Sequence, residues 1–112
     1  MGTGDVVLIA FPFTDVGSVK RRPALVLLES GTDDLLLARI TSRATRGPWD
    51  VAVASWSAAG LLAPSVVRLD KLATLQRTLV ERHVGRLSEE DRRRVGECLR
   101  DLFDRVASVL AG

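Results

Sequence analysis

Two apolar runs, Ala24–Leu28 and Leu35–Ser42, lie on either side of the polar stretch Glu29–Asp34. Both runs are rich in aliphatic residues, and the stretch between them has the composition of a hairpin turn. Because the strands of a hairpin are antiparallel neighbours, residues late in the second run lie near residues early in the first. The pattern therefore predicts a local antiparallel sheet that brings Thr41 towards Arg22.

Further strand-like runs flank this hairpin, and the chain ends in a helical pattern. Ser88 is a suitable N-cap, and Asp91 completes a start that resembles a capping box. Apolar residues then recur at helical spacing as far as Leu110. We expect a strongly curved antiparallel sheet capped by this helix, in a single domain over residues 1–112. The other expected strands are Gly4–Phe13, Val51–Trp56 and Ser65–Leu69, and each of Leu72–Leu75 and Leu79–Val84 is either a short strand or a turn of helix.

The composition is that of an ordinary globular domain, with 46% hydrophobic and 27% charged residues among 112. A net charge of +2 excludes a histone-like polycation, while 14 arginines against 2 lysines favour arginine contacts to phosphate. The single cysteine, Cys98, excludes an internal disulfide and fits a reducing compartment. No apolar run reaches membrane-spanning length and no signal-peptide pattern is present, so we expect a cytoplasmic protein without membrane contact.

Arg22 is the strongest candidate for a functional side chain. It ends the basic triplet Lys20-Arg21-Arg22 and directly precedes Pro23, at the mouth of the first hairpin strand. Proline fixes its own φ and favours an extended conformation in the residue before it. A rigidly held guanidinium is suited to binding phosphate through two parallel hydrogen bonds. The alternative is an arginine that pairs with a carboxylate at a dimer contact.

Five short motifs occur in one order along most of the chain. They are Gly4-Asp5-Val6-Val7, Arg22-Pro23-Ala24-Leu25-Val26-Leu27, Ile40-Thr41-Ser42, Ser65-Val66-Val67-Arg68-Leu69-Asp70 and Val84-Gly85-Arg86-Leu87-Ser88. Together they resemble the MazF/PemK family of bacterial toxins. This resemblance implies a mainly β fold with a helix: a small SH3-like antiparallel barrel of the CcdB/PemK type with a C-terminal α-helix. It also implies a metal-independent endoribonuclease without a cofactor, which cleaves single-stranded messenger RNA, forms a homodimer and is restrained by a cognate antitoxin.

The same resemblance implies which residues form the site. The phosphate-binding arginine and threonine of the family correspond to Arg22 and Thr41, and a catalytic arginine and aspartate of PemK-type members correspond to Arg68 and Asp70. The first loop departs from the family pattern, which often has an acidic or histidine residue there. The expected substrate-binding residues are Ser18, Lys20, Arg21 and Ser42.

Cleavage of RNA by its own 2′-hydroxyl needs a base, charge stabilisation at phosphorus and an acid for the leaving oxygen. Asp70 is a candidate base, and Arg68 lies two residues away, on the same strand face. A neighbouring guanidinium would keep Asp70 ionised and weaken it as a base. Without the family resemblance, these two residues would be interpreted as a surface ion pair.

Two other functional classes remain open from the sequence. One is a gyrase poison of the CcdB type, which relies on an aromatic-containing C-terminal tail, whereas this chain ends in Val109-Leu110-Ala111-Gly112. The other is a non-catalytic SH3-like binding module, which would not need its polar residues to converge. Trp49 and Trp56 are candidates for base stacking or for core packing, and His83 has no assigned role.

Overall fold

The computed structural model describes residues 1–11 and 20–112 of the chain. Within these ranges six strands precede one long helix, α1 (Glu89–Leu110). The expected end of the first strand at Pro12–Phe13, the first loop and Ser18 lie outside the described residues. The strands are β1 (Asp5–Phe11), β2 (Lys20–Glu29), β3 (Asp34–Thr41), β4 (Asp50–Ala52), β5 (Val66–Gln76) and β6 (Val80–Arg86), with a 3₁₀ turn at Arg77–Leu79.

All six strands form one antiparallel sheet in the order β4-β5-β3-β2-β1-β6. The hairpin expected from the sequence is present as β2 and β3, which pair from Ala24 opposite Arg39 to Glu29 opposite Leu35. Among the described strands, β4 and β6 form the two edges, so the pairing does not close into a ring. A mainly β fold with one C-terminal helix is therefore confirmed, with an open sheet.

The largest differences from the sequence prediction occur between residues 50 and 76. The expected strand Val51–Trp56 ends at Ala52, and the chain then forms turns instead. The two short strands expected at Ser65–Leu69 and Leu72–Leu75 are one strand, β5. The polar residues between them do not end it, because a shift in register against β3 accommodates them as a bulge.

Both faces of the central strands are buried, so the sheet has two apolar layers. The helix face carries Leu25, Ala38 and Ile40, and the N-terminal half of α1 packs on it through Val95. The opposite face carries Ala24, Val26, Leu35, Leu37 and Leu75. Since side chains alternate along a strand, every second residue of β2 and β3 lies on the same face. This alternation determines which polar residues share a face at the end of the hairpin.

A buried carboxylate attaches the start of α1 to the turn that follows β4. Ser88 is the N-cap, and its hydroxyl accepts the Asp91 N–H at 3.1 Å. The Asp91 carboxylate does not complete a capping box; it accepts the N–H groups of Ala54 at 3.1 Å and Ser55 at 2.9 Å. Burial alone would raise the pKa of Asp91, but these two N–H groups, the Arg94 guanidinium and the Ser88 hydroxyl lower it below its ordinary value.

The second half of α1 leaves much of its apolar surface exposed. Leu99 and Leu102 pack partly against the core, whereas four further apolar side chains on this half are exposed: Phe103, Val106, Val109 and Leu110. Within the described ranges, no helix combines the length and apolar character needed to span a bilayer.

Candidate active site

A cavity of about 490 Å³ opens where β2 begins and β3 ends. Pro23, Thr41 and Ser42 line it, together with the turn Gly60–Ala63. None of the described residues that line the cavity is acidic, whereas four are arginines: Arg21, Arg22, Arg43 and Arg82. A concave surface with this charge favours an anion such as a phosphodiester.

Pro23 explains why the cavity forms at this point. In β2, Pro23 pairs with Leu8 of β1, but the pairing with β3 starts only at Ala24. Proline has no N–H to donate to a neighbouring strand, so hydrogen-bonded pairing on one side of a strand often ends at a proline. Continued by two residues, the β2–β3 register would place Arg22 opposite Thr41. Both residues therefore lie just beyond the last pair and line the cavity together, as the hairpin predicted.

The Thr41 hydroxyl accepts one hydrogen bond, and none of the described residues accepts its proton. The residue is 8% exposed, and its Oγ1 accepts the backbone N–H of Arg43 at 3.2 Å. A hydroxyl that accepts one hydrogen bond still has its own proton to donate. Ser42, the next residue, is exposed at the rim of the same cavity.

The expected substrate-binding cations take different positions. Arg21 lines the cavity, and its Nε donates to Glu81 Oε2 at 2.5 Å, which offsets part of its charge. Lys20 is exposed at the start of β2 and does not line the cavity. Arg82, on β6 opposite Leu8, lines the cavity and was not identified from the sequence.

Arg68 is buried and pairs with Asp50, not with Asp70. Its Nη1 donates to Asp50 Oδ2 at 2.8 Å, and its Nη2 donates to the Ala44 carbonyl at 3.2 Å. The same Asp50 oxygen accepts the Arg46 N–H at 2.7 Å. Arg68 therefore holds the segment 42–50, which begins with two cavity residues.

Asp70 lies apart from the cavity lining, on an exposed part of β5. Ala38 pairs with Leu72 and Arg39 pairs with Arg68, so residues 69–71 have no partner on β3. Bulges of this kind redirect side chains and are frequent near active sites. The simple alternation that placed Arg68 and Asp70 on one face therefore does not apply through this segment.

Arg39 is a further cation near the site that sequence reasoning missed. Its Nε is buried and has no hydrogen-bond partner among the described residues. Burial is the main cause that lowers the pKa of Arg39, and the positive charges of four other arginines lower it further. These arginines are Arg22, Arg68, Arg43 and Arg46. Its position two residues before Thr41 on the same strand could have revealed it.

The remaining sequence candidates lie elsewhere. Trp49 and Trp56 pack partly buried against the core, and the Arg105 guanidinium lies 5.6 Å from the Trp49 ring centroid. His83 Nε2 is 3.5 Å from Asp5 Oδ2. Burial is the main cause that raises the pKa of the Cys98 thiol, which disfavours a reactive thiolate. In the part of the chain that the structure describes, no three His, Cys, Asp or Glu residues are grouped to bind a metal.

An open antiparallel sheet with one C-terminal helix, and an arginine-lined cavity at the end of its central hairpin, define a small β protein with a basic cavity. The family model described as PemK-like, MazF-like toxin of type II toxin-antitoxin system matches residues 3–103. The chain belongs to this family, whose members are known as endoribonucleases. A search among curated proteins returns no match.

Solved structures of several toxins and endoribonucleases share the fold of this chain. An endoribonuclease from a mycobacterial species, in complex with its cognate antitoxin, superposes with a TM-score of 0.75 at 16% identity, covering 93% of this chain and 95% of that chain. The Mycobacterium tuberculosis toxin MazF-mt6 superposes with a TM-score of 0.73 at 23% identity, covering 89% of this chain and 96% of that chain. MazF from Deinococcus radiodurans superposes with a TM-score of 0.71 at 25% identity, covering 93% of this chain and 96% of that chain.

Proposed function

We propose that this chain is a metal-independent endoribonuclease toxin that cleaves single-stranded messenger RNA through its 2′-hydroxyl group. The observation that supports the proposal most is the cavity itself, which Arg22 and Thr41 line together with further arginines. Family membership supports the activity, and the absence of a carboxylate among the described lining residues favours a polyanionic substrate.

In the proposed reaction the 2′-oxygen attacks the adjacent phosphorus, and the bond from phosphorus to the 5′-oxygen breaks. A base takes the 2′-hydroxyl proton, and a proton is delivered to the leaving 5′-oxygen. The products are a 2′,3′-cyclic phosphate and a 5′-hydroxyl. Arg22 and Thr41 bind the non-bridging oxygens of the scissile phosphate, where negative charge increases in the transition state.

The roles of the two β5 residues divide in this proposal. Asp70, which is exposed, remains the proposed base, and the bulge at residues 69–71 is what would direct it to the substrate. Arg68 is already engaged with Asp50 and acts by holding the segment that carries Ser42 and Arg43. Lys20 and Arg21 remain proposed contacts to the RNA backbone that flank the scissile phosphate. Ser18 and Ser42 remain proposed substrate-binding residues.

We further propose that a cognate antitoxin inhibits the chain and that the toxin is a homodimer in the cytoplasm. The antitoxin proposal is supported by relatives that were solved as complexes, among them MazE–MazF from Deinococcus radiodurans. An acidic antitoxin segment would compete with RNA for the arginine-lined cavity. The homodimer rests on family membership.

The experiment that tests the proposal uses purified protein and an RNA substrate with a mapped cleavage site. We expect cleavage to persist in a chelator and to disappear when the nucleotide before the scissile phosphate carries a 2′-deoxy sugar. Arg22→Ala should reduce the single-turnover rate by about 10²–10³-fold, the loss typical of removing one stabilising donor. Arg100→Ala, on the exposed side of α1, is the matched control and should keep full activity. Cleavage of the deoxy substrate would rule out the proposed chemistry.

A further inference from the structure

The sheet register places three arginines and a threonine on one face. Arg39 pairs with Ala24 on one side and with Arg68 on the other. Directly paired residues of antiparallel strands have their side chains on the same face, as do residues two apart. Arg22 and Thr41 therefore share this face with Arg39. Arg39 does not line the cavity at the end of the hairpin; it lies one same-face position further into the sheet than Arg22 and Thr41.

The charges around Arg39 are unbalanced. Among the described residues, the carboxylate paired with this group is Asp50, which forms a buried ion pair with Arg68 at 2.8 Å. Arg39 itself has a buried Nε without a partner among the described residues. Burying a cation among cations costs free energy unless an anion completes the arrangement. An anion next to Arg39 would provide the missing counter-charge.

Space for such an anion is present beside Arg39. A cavity of about 170 Å³ is lined by Arg39 and Lys71, together with the apolar side chains of Leu37, Leu72 and Ala73. Liquid water occupies about 30 Å³ per molecule, so this volume can hold a phosphate group. Lys71 reaches the cavity because it belongs to the unpaired bulge of β5.

We propose that Arg39 and Lys71 form a second phosphate subsite, which binds the RNA backbone phosphate next to the scissile one. The subsite rests on the proposed ribonuclease function and extends it, because it predicts a substrate longer than a dinucleotide. Arg39 is two residues from Thr41, a Cα separation of about 6.5–7 Å along an extended strand. Successive phosphates of an extended RNA strand have a comparable separation.

The test measures binding of an uncleavable RNA, with a 2′-deoxy sugar at the cleavage site, to wild type and to Arg39→Met. Methionine keeps the length of the buried stem without its charge. We expect affinity to fall about ten- to a hundredfold, the usual value of a charge-assisted hydrogen bond. The slope of log K against log salt concentration should decrease by about 0.7, which corresponds to one lost phosphate contact on a single strand. Lys71→Met, at an exposed position, should give a smaller loss in the same direction, and Arg100→Ala is the charge-matched control.

A methylphosphonate scan locates the contact. One neutral methylphosphonate is placed in turn at each phosphate flanking the cleavage site. Wild type should lose affinity at the neighbouring phosphate, and Arg39→Met should lose nothing further there. Equal losses for wild type and Arg39→Met at every position, or an unchanged salt slope, would overturn the subsite. A cleavable RNA with a neutral methylphosphonate at the neighbouring phosphate separates the two proposals: wild type and Arg39→Met should cleave it at the same rate, whereas a wild type that cleaves no RNA refutes the ribonuclease itself.

Discussion

The buried pair of Arg68 and Asp50 provides a sharp test of whether Arg68 is primarily a structural residue. Both side chains are 4% exposed, and their contact of 2.8 Å joins neighbouring strands β5 and β4. Removing one partner of a buried ion pair leaves the other charge desolvated, at a cost of about 3–5 kcal/mol. Because a domain of this size is stable by only about 5–15 kcal/mol, Arg68→Met should lower Tm by more than about 10 °C.

The assay is urea unfolding followed by circular dichroism, with Arg77→Met as the matched control. Arg77 pairs with Glu29 at a similar distance, 2.9 Å, but these side chains are 37% and 36% exposed. Loss of an exposed pair costs about 1 kcal/mol or less. The double variant Arg68→Met/Asp50→Leu should recover part of the stability, since no unpaired charge remains. If Arg68→Met costs no more than Arg77→Met, the structural role of Arg68 is refuted.

Three further substitutions test other parts of the structure. Asp91→Asn should cost about 1.5–3 kcal/mol at neutral pH. Folding lowers the pKa of Asp91, so its contribution to stability is present above the ordinary pKa of 3.8 and is lost as the pH falls through the lower folded pKa. The difference in unfolding free energy between wild type and Asp91→Asn should therefore narrow in acid. A difference that stays constant with pH contradicts this. Gly85→Ala should lower Tm, because the added Cβ would lie 2.2 Å from the Ala59 carbonyl oxygen. Gly96→Ala is the control and should not lower Tm, because the space around Gly96 is open. Equal Tm changes in the two variants would contradict the prediction. Asp70→Asn should reduce kcat by about 10²–10⁴-fold with an unchanged Tm, and an unchanged kcat removes Asp70 as the base.

The hairpin was predictable because its causes are local. Turn residues between two apolar runs determine the β2–β3 pairing, and Pro23 determines where that pairing ends. Arg22 and Thr41 converge as a direct consequence. The Ser88 cap of α1 is likewise a signal that lies within a few residues.

The ion-pair partner of Arg68 could not be predicted from local sequence signals. Asp50 is opposite Arg68 because of a three-residue strand whose pairing with β5 depends on tertiary structure. The bulge at residues 69–71 also changes which side chains share a face, and periodicity within β5 does not reveal it. Arg39 is a different case, because its spacing of two residues from Thr41 is visible in the sequence. Only the positive charges around it had to be learned from the structure.

The ends of the cleaved RNA test the proposed chemistry most directly. A short RNA is cleaved by the purified protein, and the masses of the two products are measured before any enzymatic treatment. Attack by the 2′-hydroxyl, with Arg22 and Thr41 at the scissile phosphate, requires a 2′,3′-cyclic phosphate on the upstream fragment and a 5′-hydroxyl on the downstream fragment. A 3′-hydroxyl with a 5′-phosphate would mean that water, and not the RNA, is the nucleophile, and would contradict the proposed mechanism.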